Sequence, residues 1–201
     1  RHFPYEGNSI LKHLDQLIQY LSDHPDINEV ILSGGDPLML KNHHLKKIFD
    51  ALQSLKTINI VRFHTRIPTV LPKRIDYAFT QLIKEYNQWH WVIVTHVNHA
   101  NELNDQNKLA IDTLKSLGIT ILNQSVLLKD INDTVDTLRT LSLKLFNHGI
   151  LPYYLHQFDP VKGAMHFEVP MSKGRHLIKE LQTVLPGYLV PKYVQEQPGQ
   201  P

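Results

Sequence analysis

The chain has 201 residues, 42% hydrophobic and 20% charged, with a formal net charge of +2; that length suits one domain that buries roughly 70% of its unfolded surface. So small a charge, without a Lys/Arg block or an aromatic-basic stripe, argues against a nucleic-acid partner. No apolar run approaches the ~20 residues that span a bilayer and no signal peptide is visible, so the expected compartment is the cytoplasm, and the absence of cysteine excludes disulfides, thiolate metal sites and a Cys nucleophile within these residues.

The chain opens on Arg1-His2-Phe3-Pro4 and closes on Pro198-Gly199-Gln200-Pro201, and both ends are expected to be cuts. Asn8 or Ser9 is placed to cap a first helix, in which Ile10, Leu11, Leu14, Leu17, Ile18 and Leu21 keep a 3.6-residue period. From residue 29 onward, apolar strand-like runs recur at a spacing of about 30 residues. They occupy residues 29–33, 59–64, 91–97 and 120–127, and Leu151–His156. Several are apolar on consecutive positions, which predicts parallel strands covered on both faces.

Helical patterns lie between these runs. Leu45, Ile48, Phe49, Leu52 and Leu55 form one stripe, and Phe79, Leu82, Ile83 and Tyr86 form another. Further helices are predicted to stop at Gly118 and Gly149, where a left-handed cap is wanted. A last helix follows Pro170 to about Val184, and residues 188–195 read as extended. Strand and helix alternating at this period means βα units in a single α/β domain over residues 1–201, either a partial parallel barrel or a doubly wound sheet.

Polar residues gather at the predicted carboxyl ends of these strands. The first end carries Ser33, Gly34, Gly35, Asp36 and Pro37, where two residues without Cβ would let a ligand approach bare backbone. Asp36 there offers an acceptor suited to an ammonium group, although Gly-Gly-Asp-Pro is also ordinary turn chemistry. The other ends carry His64-Thr65-Arg66, His96 to His99, Asn123-Gln124-Ser125 and His156 to Asp159. Five polar strand ends on one rim are the expected anatomy of a barrel active site.

Each group suggests a chemistry. Arg66 offers a planar fork for a carboxylate or phosphate, or else forms an internal ion pair. Asn123 and Gln124 have the paired donors and acceptors to read a ribose or an adenine edge. Asp159 and Glu196 could together hold a dehydrated ammonium. The imidazoles of His64, His96, His99 and His156 admit a metal-site reading, but no His-x-His on one strand and no bridging carboxylate accompanies them.

With these segments assembled, the sequence resembles the lysine 2,3-aminomutase family of radical S-adenosylmethionine enzymes. The resemblance is carried by RHFPY at residues 1–5, EVILSGGDPL at 29–38, HTRIP at 64–68, residues 71–75 and HVNHANE at 96–102. It continues in LNQSVLL at 122–128, Asn132-Asp133, GILPYYLH at 149–156, residues 163–167 and PGYLVP at 186–191. The HFPYE opening and the HQFDPVKGAMHF segment are most similar to the branch that makes β-lysine for modifying elongation factor P.

The resemblance implies a partial parallel (β/α)6 barrel lacking its first unit and its C-terminal end, with five strands in this chain. It implies migration of the 2-amino group of L-lysine to carbon 3, with S-adenosylmethionine, a [4Fe-4S] cluster and pyridoxal 5'-phosphate as cofactors. Ser33, Gly34, Gly35 and Asp36 would hold the amino-acid end of S-adenosylmethionine. Asn123 and Gln124 would lie over that cofactor, with His96 among the cofactor-binding residues and Arg66 as an anion-binding group near it. Asp159 would grip the side-chain ammonium of lysine, and Glu196 stands where the family commonly has a second carboxylate, an Asp. The substrate would be L-lysine or a lysyl-modified elongation factor P, and self-association is expected.

The resemblance also places the three cluster cysteines just upstream of Arg1 and the pyridoxal lysine about two residues beyond Pro201. Lys162 and Lys192 lie off that position. These 201 residues alone are therefore expected to be inactive. Two other readings stay open: a degenerate barrel that only binds a ligand or partner, and a His-ligated metallohydrolase.

Overall fold

β-Branched and aromatic side chains pack well on a pleated surface and lose rotamer freedom in helices, and the segments richest in them form the strands. The computed structural model describes residues 13–195. Its strands are β1 (Glu29–Leu32), β2 (Ile60–His64), β3 (His90–His96), β4 (Thr120–Val126), β5 (Leu151–His156) and β6 (Lys192–Val194). They form one parallel sheet in the order β1-β2-β3-β4-β5-β6. Among the described residues β1 does not pair with β6, so the sheet is a partial barrel.

The helices are α1 (Leu14–Asp23), α2 (Asn42–Leu52), the short α3 (Ile67–Val70), α4 (Tyr77–Glu85), α5 (Asp105–Ser116), α6 (Val135–Asn147) and α7 (Met171–Val184). The expected caps Asn8 and Ser9 lie outside the described residues. Both predicted glycine stops are present, with Gly118 at φ 77° and Gly149 at φ 82°. Asp76 caps α4 by accepting from the Phe79 N–H at 2.7 Å, and Thr134 caps α6 through the Thr137 N–H.

Two expectations are corrected. The stretch 188–195, read as extended, contains a sixth strand where five were expected, after a 3-10 turn at Gly187–Leu189. Its pairing partners are Tyr154–Lys192, Leu155–Tyr193 and His156–Val194. Tyr193 anchors it, since its hydroxyl bonds the Gln157 side chain and its ring abuts Gly174 of α7.

The strands are also not covered equally on both faces. In β2, Val61 and Phe63 are buried while Ile60, Arg62 and His64 are half-exposed. In β4, Ile121, Asn123 and Ser125 are buried, and Leu122, Gln124 and Val126 are not. Side chains alternate across a strand, so the helix-covered face is packed and the concave face lines a hollow. Apolar residues at hollow-facing positions, such as Ile31 at 42% exposure, supply the consecutive apolar runs that suggested two covered faces.

The helix-side core is aromatic at its centre. Phe63 of β2 stacks on Trp91 of β3 at 5.8 Å between ring centroids, and Phe49 of α2 meets Trp91 edge-on at 5.1 Å. Tyr86 stacks on Trp89, and its hydroxyl donates to Asp50 at 2.6 Å. Phe49 is fully buried, which stabilises the fold by about 2–3 kcal/mol. A second apolar cluster, including Leu138, Leu155, Leu177 and Leu181, packs α6 and α7 onto the β5 end of the sheet.

Candidate functional site

The carboxyl ends of β1, β2, β3 and β4 surround a cleft of about 270 Å³ lined by Gly35, Asp36, His64, Thr65, Arg66, His96 and Gln124. Its floor is the turn after β1. Gly34 and Gly35 have φ of 89° and 56°, a left-handed conformation that glycine adopts without steric cost. A Cβ at either position would meet nothing within 4 Å. Backbone conformation alone therefore demands glycine here, and the space above the turn is open. Ser33 beside them is exposed.

Asp36 closes the turn from within. Its Oδ1 accepts from the Leu38 N–H at 3.0 Å and from the Thr65 hydroxyl at 2.6 Å, and its Oδ2 accepts from the Arg66 N–H at 2.7 Å. The carboxylate thus ties the β1 turn to the β2 turn, and Oδ2 keeps one lone-pair direction unused among the described residues. Arg74 holds the far side of the same loop, donating to the Leu38 and Leu40 carbonyls at 2.9 and 3.0 Å and to Asn42 Oδ1 at 2.7 Å. Burial pulls its guanidinium below the ordinary arginine value, against the opposing pull of Asp76.

Arg66 extends from the β2 end with its side chain 52% exposed, and a guanidinium nitrogen lies 3.9 Å from Glu102 Oε2. A pair so open to solvent contributes little to stability, so the fork remains available to a ligand anion. Glu102, the last residue of the HVNHANE motif, has a structural role. Its Oε1 accepts from the Asn98 and His99 N–H groups at 2.7 and 2.9 Å, completing a capping box around the 3-10 turn Ala100–Glu102. The His99-x-x-Glu102 spacing was the sequence signal.

His96 and Gln124 face each other across the β3–β4 pairing, and both line the cleft. Burial, then the nearby Arg66 charge, hold the His96 imidazole below its usual range, against its hydrogen bond to Asn98 and the Glu102 charge. The Gln124 amide makes no hydrogen bond among the described residues and is available to a ligand.

Asn123 does not share that position. It is 1% exposed, and its amide is committed internally. Oδ1 accepts from the Val97 N–H at 2.8 Å, and Nδ2 donates to the Val97 carbonyl at 3.1 Å and to Ser125 Oγ at 2.9 Å. Successive strand residues point to opposite faces, so the structure separates Asn123 from Gln124. Asn123 fixes the β3 turn against β4 from the helix side.

Asp159 sits in an exposed loop after β5 and does not line the cleft. Glu196 lies outside the described residues. A register shift in the β4–β5 pairing brings Tyr153 and Tyr154 together, with hydroxyls 2.9 Å apart and rings at 3.8 Å. Among the described residues no three His, Cys, Asp or Glu side chains come together as a metal site, so the histidines do not assemble as the metallohydrolase reading requires. No helix among these residues is long and apolar enough to cross a membrane.

No family model matches the chain. It is 42% identical over 202 aligned positions to an L-lysine 2,3-aminomutase of Escherichia coli K12, covering 100% of this chain and 59% of that protein. A protein of the same name from Buchnera aphidicola is 46% identical, with 99% and 58% covered. One from Clostridium subterminale is 36% identical, with 94% and 45% covered. The chain therefore spans less than two thirds of the length of these relatives. Among solved structures, a radical SAM methyltransferase from Sphaerobacter thermophilus superposes with a TM-score of 0.63 at 12% identity, covering 95% of this chain and 57% of that one. SuiB from Streptococcus suis, bound to S-adenosylmethionine, gives 0.60 at 12% identity, with 91% and 43% covered. At such identities the likeness establishes the fold alone: a radical SAM-type partial barrel.

Proposed function

We propose, on the premise that the chain is homologous to the lysine 2,3-aminomutases along its whole length, that it is the barrel core of an enzyme moving the 2-amino group of L-lysine to carbon 3. The observation that carries this reading is the cleft itself. A left-handed Gly34-Gly35 turn with open space above it stands opposite His96, Gln124 and Arg66 at the carboxyl ends of parallel strands.

These residues fit S-adenosylmethionine. The bare backbone at Gly34 and Gly35 would receive its amino-acid end, with the free lone pair of Asp36 Oδ2 toward the ammonium. Gln124 would bond the ribose, and Arg66 would attract the carboxylate. When bound and reduced by an iron–sulfur cluster, S-adenosylmethionine supplies the adenosyl radical chemistry of the superfamily. The chain's own residues hold, orient and hydrogen-bond this ligand.

The chain does not fit the other two cofactors. It has no cysteine to ligate a [4Fe-4S] cluster, and no lysine lines the cleft among the described residues. We assign the cluster ligands and the pyridoxal phosphate lysine to the whole protein beyond these 201 residues, and expect the 201 residues alone to be inactive. Asp159 and Glu196 are assigned to the lysine ammonium, and the product β-lysine to modification of elongation factor P.

The test is anaerobic reconstitution of the whole protein with iron, sulfide and pyridoxal phosphate. Lysine-dependent cleavage of S-adenosylmethionine with formation of β-lysine is expected. Absence of both, in a protein that has bound its cluster, sinks the reading. Comparing free lysine with lysyl-modified elongation factor P as substrate tests the finer assignment.

A further inference from the structure

The donor–acceptor pattern around His96 identifies which of its nitrogens carries the proton. Its Nε2 lies 3.2 Å from Asn98 Oδ1. That oxygen is fixed as an acceptor, because it also receives the Val126 backbone N–H at 2.8 Å, and a backbone N–H can only donate. The Asn98 amide therefore cannot be flipped, and His96 Nε2 must be the donor. A neutral imidazole with Nε2–H has a bare lone pair on Nδ1. Nδ1 makes no hydrogen bond among the described residues, and the ring lines the cleft.

Asn98 is itself rigidly held. Its N–H donates to Glu102 Oε1 at 2.7 Å, and its carbonyl accepts from Asn132 Nδ2 at 2.9 Å. Asn132 is fully buried, donates also to the Val126 carbonyl and accepts from the Leu128 N–H. The last residues of β3 and β4, His96 and Val126, thus converge on one side-chain oxygen in the turn after β3.

We propose that Asn98 is a positioning residue, which orients His96 so that Nδ1 offers the cleft a hydrogen-bond acceptor. This point of the cleft then takes an N–H or O–H donor from the ligand and rejects an anion. Identifying that donor as an amino or hydroxyl group of S-adenosylmethionine rests on the function proposed above, whereas the orientation of His96 does not. The charged or titratable groups facing the ring are Arg66, Glu102 and His156, with His64 and Asp36 in the same cleft. Arg66 and His156 oppose its protonation, and Glu102 favours it.

The experiment uses the whole protein with 15N-labelled histidine. NMR in the absence of ligand is expected to show His96 neutral at pH 7.5, protonated at Nε2 and bare at Nδ1. A bare Nε2 or a charged ring overturns the proposal. Asn98→Asp keeps an acceptor for Val126 and for the ring but adds a negative charge, so it should raise the His96 pKa. The acid limb of S-adenosylmethionine binding, measured by calorimetry from pH 5.5 to 8, should move upward with it. Asn98→Ala should weaken binding about three- to tenfold at pH 7.5, the loss expected for one hydrogen bond. An Asn98→Asp protein whose His96 titration is unchanged refutes the positioning role. If the titration moves as expected but neither wild type nor variant binds S-adenosylmethionine, the orientation stands and the function proposed above fails.

Discussion

The Thr65 hydroxyl donates to Asp36 Oδ1 at 2.6 Å and accepts from the Ile67 N–H at 3.1 Å. One threonine thereby joins the glycine turn after β1 to the helical turn α3 after β2. Residues 29 positions apart are locked by a side chain whose residue lines the cleft, so the shape of the site depends on a bond within its wall.

Removing this bond should act on both stability and binding. Asp36→Ala leaves the Leu38 and Arg66 amides and the Thr65 hydroxyl without their acceptor, and is expected to cost about 2–3 kcal/mol in urea unfolding. Thr65→Val should cost less. The two changes should not add, because they remove one shared bond. A double-mutant cycle with a coupling near zero would show that the 2.6 Å contact contributes nothing in solution.

Gly35→Ala separates backbone strain from ligand contact. A left-handed alanine costs about 1–2 kcal/mol, and the new methyl touches no protein atom. Thermal unfolding should register that modest loss. S-adenosylmethionine binding should fall by more than tenfold if the ligand rests on this backbone, and an affinity that follows stability alone would place the ligand elsewhere.

Gly174 shows the opposite physics. A Cβ there would overlap the hydroxyl end of the Tyr193 ring, and an aromatic ring cannot bend out of the way. Gly174→Ala should destabilise by about 1–3 kcal/mol through overpacking. Adding Tyr193→Ala should remove that penalty relative to Tyr193→Ala by itself. A Gly174→Ala protein as stable as wild type would mean that β6 does not pack on α7 as described.

Acid should loosen the site through His96. Its folded pKa lies below the ordinary histidine value near 6.5, chiefly because of burial. Between those two values the unfolded chain binds a proton that the folded chain does not, so stability rises with pH across that window. The His96 contribution is intact above about pH 6.5 and is lost as pH falls through the folded value. Urea midpoints at pH 7.5, 6.5 and 5.5 should decline, and His96→Gln should shallow that decline. Parallel declines in the two proteins would exclude His96 as its source.

Local sequence suffices for the strand–helix alternation, the glycine stops at 118 and 149, and the gathering of polar residues at strand ends. These are consequences of local periodicity and of backbone preferences that each residue carries with it. The bounds read for the first five strands lie within one residue of those observed, and Leu151–His156 matches at both ends. Tertiary structure decided which polar residue faces what. Asn123 and Gln124 are neighbours in sequence, yet one is sealed against Val97 and the other is open to the cleft, because register sets the face of every strand residue. The Asp36 carboxylate, legible only as an acceptor, is engaged by three donors that arrive from two loops. The sixth strand depends on Gly174, Gln157 and Tyr193 meeting across the second core. Such pairings join residues far apart in the chain, and no local preference encodes them.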